Sequence, residues 1–295
     1  MLRFQLCRLP AGLAPAARLL LLALLACGAP MATAQWRQYP EALVGLDQIP
    51  FVVHDLDAVS TVWRDLGFNV KPGSARDNGI TSNHVNFEDG SGVELFAVPA
   101  AVDALTTRYL DMLAAGEGPV AFAFHARNLA ALRDALQGNR RFDYQPVSHT
   151  LEGRNLEFLS FIQDSRAPDA AGYLRHPNGA RAMSRVWIAM DGGKTLRDML
   201  QALNADAISA KVYVPEATQS YDLTVTNGEV LILPRSSQLI RGRQVIGATF
   251  EVENLERVRQ RLDLFEIPWT RGGTEDLSLI VAPDATHGMW LEFRE

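Results

Sequence analysis

Cysteine is almost absent from this chain. Its 295 residues include two, Cys7 and Cys27, both within the first 34. Everything after them has no disulfide, no thiol nucleophile and no thiolate metal ligand, so its fold must be held by core packing. No uninterrupted apolar run of membrane-spanning length follows residue 35. A P-loop-type phosphate loop and a Gly-x-Ser-x-Gly elbow are both missing, which sets those nucleotide and serine-hydrolase chemistries aside. Positive charge is also short: 28 Lys and Arg stand against 34 Asp and Glu. Such a balance gives no electrostatic attraction for nucleic acid or anionic lipid.

What is present begins with a leader. Arg3, Arg8 and Arg18 precede the apolar run Leu19–Ala26, and small residues lead to Ala32-Thr33-Ala34. A charged segment, a short apolar segment and an A-x-A site are the marks of a signal peptide over residues 1–34. Cleavage near Ala34 would place the protein in the periplasm or outside the cell, and removing three arginines would take the formal charge from −6 to −9. Leu24-Leu25-Ala26-Cys27 offers a rival, a lipid anchor at Cys27. The whole chain is 47% hydrophobic and 21% charged, a globular composition.

The remaining sequence reads as four copies of one unit: strand, capped helix, three strands. In the first, Val44–Val53 is a strand, Asp55 a helix cap, and Leu56, Val59, Trp63 and Leu66 an apolar stripe at helical spacing. Thr81–Gly90 and Gly92–Pro99 supply later strands. Residues 100–116 form a helical connector that Gly116 ends. The second unit starts at Pro119 with Asn128 as cap and a turn at 138–141. The third starts at Ser184, with Asp191 as cap and Asn227-Gly228 as a two-residue hairpin turn. The fourth starts at Gln244 with Asn254 as cap. Asn128-Leu129-x-x-Leu132-Arg133-x-x-Leu136 recurs as Asn254-Leu255-x-x-Val258-Arg259-x-x-Leu262. A repeat of this length indicates modular architecture. The fold class is α+β, with helices on one face of antiparallel-rich mixed sheets. Pro168, Gly172, Pro177 and Gly179 mark residues 166–183 as a linker between domains at 43–165 and 184–295.

Several stretches carry a family likeness: "LDQIPFVVHDLDAVSTVWRDLGF", "GITSNHVNFEDGSGVELFAV", "LAAGEGPVAFAFHARNL", "RHPNGA" and "VAPDATHGMWLEF". Together the sequence resembles the vicinal-oxygen-chelate superfamily, in its glyoxalase-like branch. The resemblance implies paired βαβββ modules, with sheets curled around a cavity. It also implies one divalent metal (Ni, Zn, Fe or Mn) or, in members that have lost it, none. A metal there would act as a Lewis acid on a substrate that chelates through two neighbouring oxygens. Protein ligands would sit on the first and last strands of a module. Carried over, those positions fall at Gln48 and Glu94, with further last-strand carboxylates at Glu229 and Glu292. The other first-strand positions fall near Ala121, Ser184 and Gly247, where no strong ligand stands.

The candidate metal ligands are therefore Gln48, Glu94 and Glu292. His84 and Glu94 are the candidates for catalysis. His84 and Asn86 share one side of a strand whose other side carries Val85 and Phe87. Ligand contacts are expected from Gln48, Asn83, His84, Asn86 and His176, the last from the turn-rich "RHPNGA" loop. Three functions stay open: a metal-dependent lyase, isomerase or dioxygenase; a metal-free protein that sequesters a small oxygen-rich metabolite; and an interaction scaffold. A small molecule is the expected partner, with no nucleic acid and no membrane span. A homodimer is an open possibility of assembly.

Overall fold

The computed structural model of the chain describes residues 43–137, 144–147, 150–153, 156–163, 169–203, 205–213, 217–273 and 277–295. The leader, its cleavage site, Cys27 and the turn expected at 138–141 lie outside the described residues.

The first module has β1 (Leu43–Leu46), β2 (Gln48–Val53), α1 (Leu56–Asp65), β3 (Lys71–Pro72), β4 (Thr81–Asn86) and β5 (Gly92–Ala97). The connector is α2 (Ala104–Ala114). The second module follows as β6 (Gly118–Pro119), β7 (Phe122–Ala126), α3 (Leu129–Gln137), β8 (Tyr144–Val147), β9 (Thr150–Gly153) and β10 (Leu156–Ile162). A short α4 (Ala171–Leu174) leads to the third, with β11 (Ala180–Ala189), α5 (Lys194–Ala202), β12 (Asp206–Tyr213), β13 (Ala217–Val225) and β14 (Gly228–Leu233). The fourth comprises β15 (Val245–Val252), α6 (Leu255–Leu264), β16 (Trp269–Gly272), β17 (Ser278–Val281) and β18 (Trp290–Arg294). Strand β11 begins inside the stretch expected as linker. Among the described residues, no helix is long and apolar enough to cross a membrane.

The sequence patterns explain the local structure. Asp55 accepts from the amides of Asp57 and Ala58, Asn128 from Ala131 and Asn254 from Arg257. Each side chain thereby satisfies first-turn donors that the helix leaves open. Asp191 is not a cap. Two left-handed glycines, Gly192 and Gly193, lengthen the turn, and Gly193 itself precedes α5. Asp191 instead pairs with Arg235. The hairpin turn lies one residue earlier than the Asn-Gly signal predicts: Val225 faces Gly228, leaving Thr226-Asn227 as the loop. Gly228 keeps a positive φ of 129°, and a Cβ there would come within 2.8 Å of Leu46. The turn is backed onto β1, where the Leu46 amide donates to the Asn227 carbonyl.

In every module the strand that leads into the helix lies parallel to the last: β2 with β5, β7 with β10, β11 with β14, β15 with β18. The helix supplies the crossover such pairing requires. Modules three and four join through antiparallel β11 and β15 into one eight-stranded sheet. Modules one and two form two five-stranded sheets, in the orders β3-β4-β5-β2-β6 and β1-β7-β10-β9-β8. The chain passes between them at Asp47, whose amide bonds Ala123 of one sheet and whose carbonyl bonds Gly92 of the other. Gly45 faces His125 and Phe51 faces Pro119, so one register runs through the break.

Period-two alternation divides each sheet into a helix-facing and an inner face. On the helix side, Phe51, Val53, Val85 and Leu95 join Val59 and Trp63 of α1 in the main core. On the inner side, Val52 and Phe96 pack with Leu113, Tyr109 and Met112 of α2. The connector is thus a plug over one end of the first sheet's inner face. Arg243 fixes its far end: the buried guanidinium donates to the carbonyls of Met112, Gly116 and Glu117.

Candidate functional site

The inner face of the first sheet carries a polar row. Register places Lys71 beside His84, His84 beside Glu94, and Glu94 beside Pro50. The next row holds Asn86, Gly92 and Gln48. Four of the residues singled out from sequence, Gln48, His84, Asn86 and Glu94, therefore share one face. From the loop before β4, Arg76 reaches in and forms an ion pair with Glu94, whose residue is only 5% exposed. Lys71 pairs with Asp169, which also accepts from Asn86 Nδ2 at 2.5 Å. His84 Nε2 lies 3.3 Å from Ser82 Oγ. Lys71 and Arg76 side chains are 38% and 43% exposed, so cationic groups line an accessible edge over a buried carboxylate.

Two other expected contacts sit elsewhere. Asn83 has the opposite parity to His84, and its Nδ2 donates to Ser60 Oγ of α1 at 2.9 Å. His176 is buried against Phe68 and Phe87. Its Nδ1 accepts from the Asn69 amide at 2.9 Å, and its Nε2 lies 3.1 Å from the Asn86 carbonyl. That arrangement is a neutral ring pinning the linker to module one. Burial holds its pKa down at about 4, against a weaker upward pull from the Asn86 carbonyl.

Glu292 belongs to the eight-stranded sheet and does not meet Gln48 or Glu94. Its partner across the parallel ladder is Thr249, two residues beyond Gly247. Trp187 Nε1 donates to Thr249 Oγ1 at 2.9 Å, and that hydroxyl donates to Glu292 Oε2 at 2.6 Å. Gly247 cannot present a ligand, and a Cβ there would lie 2.6 Å from the Trp187 ring. Glu229 lies beside Arg185, whose Nε donates to it at 2.7 Å while Nη2 donates to Asp222 at 3.0 Å. Burial pushes the Asp222 carboxyl up despite Arg185, and its Oδ1 has no hydrogen-bond partner. The rest of this inner face is packed with Trp187, Leu231, Leu233 and Ile280.

These donor sets do not fit a divalent metal. The first-strand neighbours of Glu94, Glu229 and Glu292 are Pro50, Arg185 and Thr249. A proline side chain has no donor atom and the Pro50 carbonyl already accepts from the Val120 amide, a guanidinium repels a cation, and a lone neutral hydroxyl is a weak ligand. Gln48, expected beside Glu94, faces Gly92 instead. No group of three or more His, Cys, Asp or Glu among the described residues could hold a metal ion. Arg76, Arg185 and Thr249 went unnoticed in the sequence. Arg76 lies in a loop without periodicity, and the other two depend on the parallel registers of β11 with β14 and of β15 with β18.

Comparison with curated proteins found no match. Solved structures share the fold at low identity. A xylose isomerase-like TIM barrel/4-hydroxyphenylpyruvate dioxygenase fusion protein aligns with a TM-score of 0.59 at 11% identity, over 86% of this chain and 49% of its own. The chain thus spans about half the length of that relative. An extradiol ring-cleaving dioxygenase from B. fuscum gives 0.60 at 11% identity, over 88% and 75%. The 2,2',3-trihydroxybiphenyl 1,2-dioxygenase of Sphingomonas wittichii gives 0.58 at 14%, over 85% and 90%. Identities this low carry the fold and not the chemistry. The model of the glyoxalase-like domain family matches residues 46–204, more than half of the sequence. With its repeated βαβββ modules, the chain belongs to the glyoxalase-like domain family.

Proposed function

We propose that this protein is an exported, metal-free member of its family that binds a small oxygen-rich anion on the polar row of the first sheet. One observation carries the reading: protein groups already satisfy the three last-strand carboxylates that the family likeness singles out, Arg76 at Glu94, Arg185 at Glu229 and Thr249 at Glu292. A cation held by the chain itself replaces the Lewis acid as the electrophilic element. Two neighbouring ligand oxygens match the fork of a guanidinium. Arg76 offers its exposed edge, Lys71 a second positive charge, and His84 a ring that can donate or accept. Glu94 holds the Arg76 guanidinium in place, and the α2 plug closes the apolar end of the row. The leader composition supports export.

Calorimetric titration of the mature protein with oxalate, pyruvate and catechol tests this. At least one should bind without added metal, and Arg76→Gln should weaken it about tenfold, the scale of one charge-assisted hydrogen bond. Binding that requires metal, or that ignores Arg76, would support the enzyme reading instead.

A further inference from the structure

A second hollow opens where α2, β10 and the turn before β15 meet. Its volume is about 330 Å³, within the range of small-molecule sites. Met112, Val120, Phe158 and Met190 form an apolar floor, with Arg108 and Gln244 at the rim. Val120 and Phe158 are rigidly buried, at 3% and 6% exposure. The two methionines are the adaptable walls, since an unbranched thioether fills gaps of varied shape. None of these residues belongs to the polar row.

The rim is poised for an anion. Arg108 Nη2 donates to the Glu157 carbonyl at 3.1 Å, which orients the guanidinium and leaves its other N–H groups free of any partner among the described residues. The Glu157 carboxylate stands 3.9 Å off with its side chain 71% exposed. A pair so long and so wet contributes little and yields readily to a competing carboxylate. The guanidinium of Arg243, between Gly242 and Gln244 of the lining, spends its donors on the carbonyls of Met112, Gly116 and Glu117.

We propose that this hollow binds a small carboxylic acid with an aromatic or branched apolar body. The body lies on the methionine and phenylalanine floor, and the carboxylate meets Arg108 and the Gln244 amide. The site is separate from the proposed anion row, so either can fail without the other.

Phenylacetate is a suitable probe for the mature protein carrying ¹³C-methyl methionine. The Met112 and Met190 signals should shift together and saturate, while Met183, Met199 and Met289, which sit in the core, stay fixed. Arg108→Gln should weaken binding roughly tenfold, and Glu157→Gln should tighten it. Neutral phenylacetamide should bind more weakly than the acid. Thermal melting should confirm that the Arg108 variant, at a half-buried helix position, remains folded. Absence of a saturable shift, equal response of all five methionines, or equal affinity in Arg108→Gln would overturn the proposal.

Discussion

Lowering the pH should destabilise this protein through one buried imidazole. His176 is 3% exposed, its Nδ1 is occupied as an acceptor by the Asn69 amide, and burial holds its pKa at about 4 against an ordinary 6.5. A second proton would have to sit on Nδ1, facing another N–H donor. In the unfolded chain the ring protonates at its ordinary pKa. The stabilising contribution is therefore complete above pH 6.5, falls as pH drops from 6.5 towards 4, and is constant below that. At 1.36 kcal/mol per pH unit the loss reaches about 2 kcal/mol by pH 5 and about 3 kcal/mol by pH 4. Urea unfolding followed by tryptophan fluorescence at pH 7.5 and 5.0 measures it. Carboxylates titrate in the same window, and burial raises the Asp89 pKa, so that group acts in the opposite direction. A variant isolates the imidazole from both. Glutamine at 176 has an acceptor for Asn69 and a donor for Asn86 but no proton to gain. His176→Gln should be less stable at pH 7.5 through poorer packing, yet lose about 2 kcal/mol less than the parent on going to pH 5. Equal losses in the two proteins would refute the reasoning.

Thr249→Val, which keeps the volume, strands the Trp187 N–H and removes a donor from Glu292. It should cost about 2–4 kcal/mol in urea unfolding, the penalty for two buried polar groups. Arg243→Ala leaves three carbonyls at the end of α2 without their donor. A loss of at least about 2 kcal/mol is expected by the same measurement, and Arg243→Lys should not recover it fully, because a lysine lacks the planar fork. Asn128→Ala and Asn254→Ala should each cost about 1 kcal/mol as cap losses, and the double variant should show the sum.

Much of the modular plan was legible because it rests on local rules. Capping by Asp55, Asn128 and Asn254 follows from side chains one position before an apolar stripe. The repeat was visible because the same cap and stripe recur. Where two local signals compete, the sequence is a poorer guide. Asp191 looks like a cap until two left-handed glycines intervene, and Asn227-Gly228 looks like a turn until the approach of Leu46 claims Gly228 for the strand. The site was legible only in part, because alternation places His84, Asn86 and Glu94 on one face while register is set across the sheet. Gly247 and Thr249 differ by one pleat repeat, and only the ladder decides which meets Glu292. Nothing local announces that Arg76 reaches Glu94, that α2 plugs the inner face, or that His176 fills a pocket between two phenylalanines. Each is a tertiary contact between different elements, which local pattern does not encode.

Metal content tests the sealing of the family carboxylates most directly. Elemental analysis of the mature protein after anaerobic purification, followed by titration with Ni, Zn, Fe and Mn, should find well under one equivalent bound and no saturable uptake. Stoichiometric metal that disappears in Glu94→Gln or Glu292→Gln would contradict the reading and favour a metal-dependent enzyme.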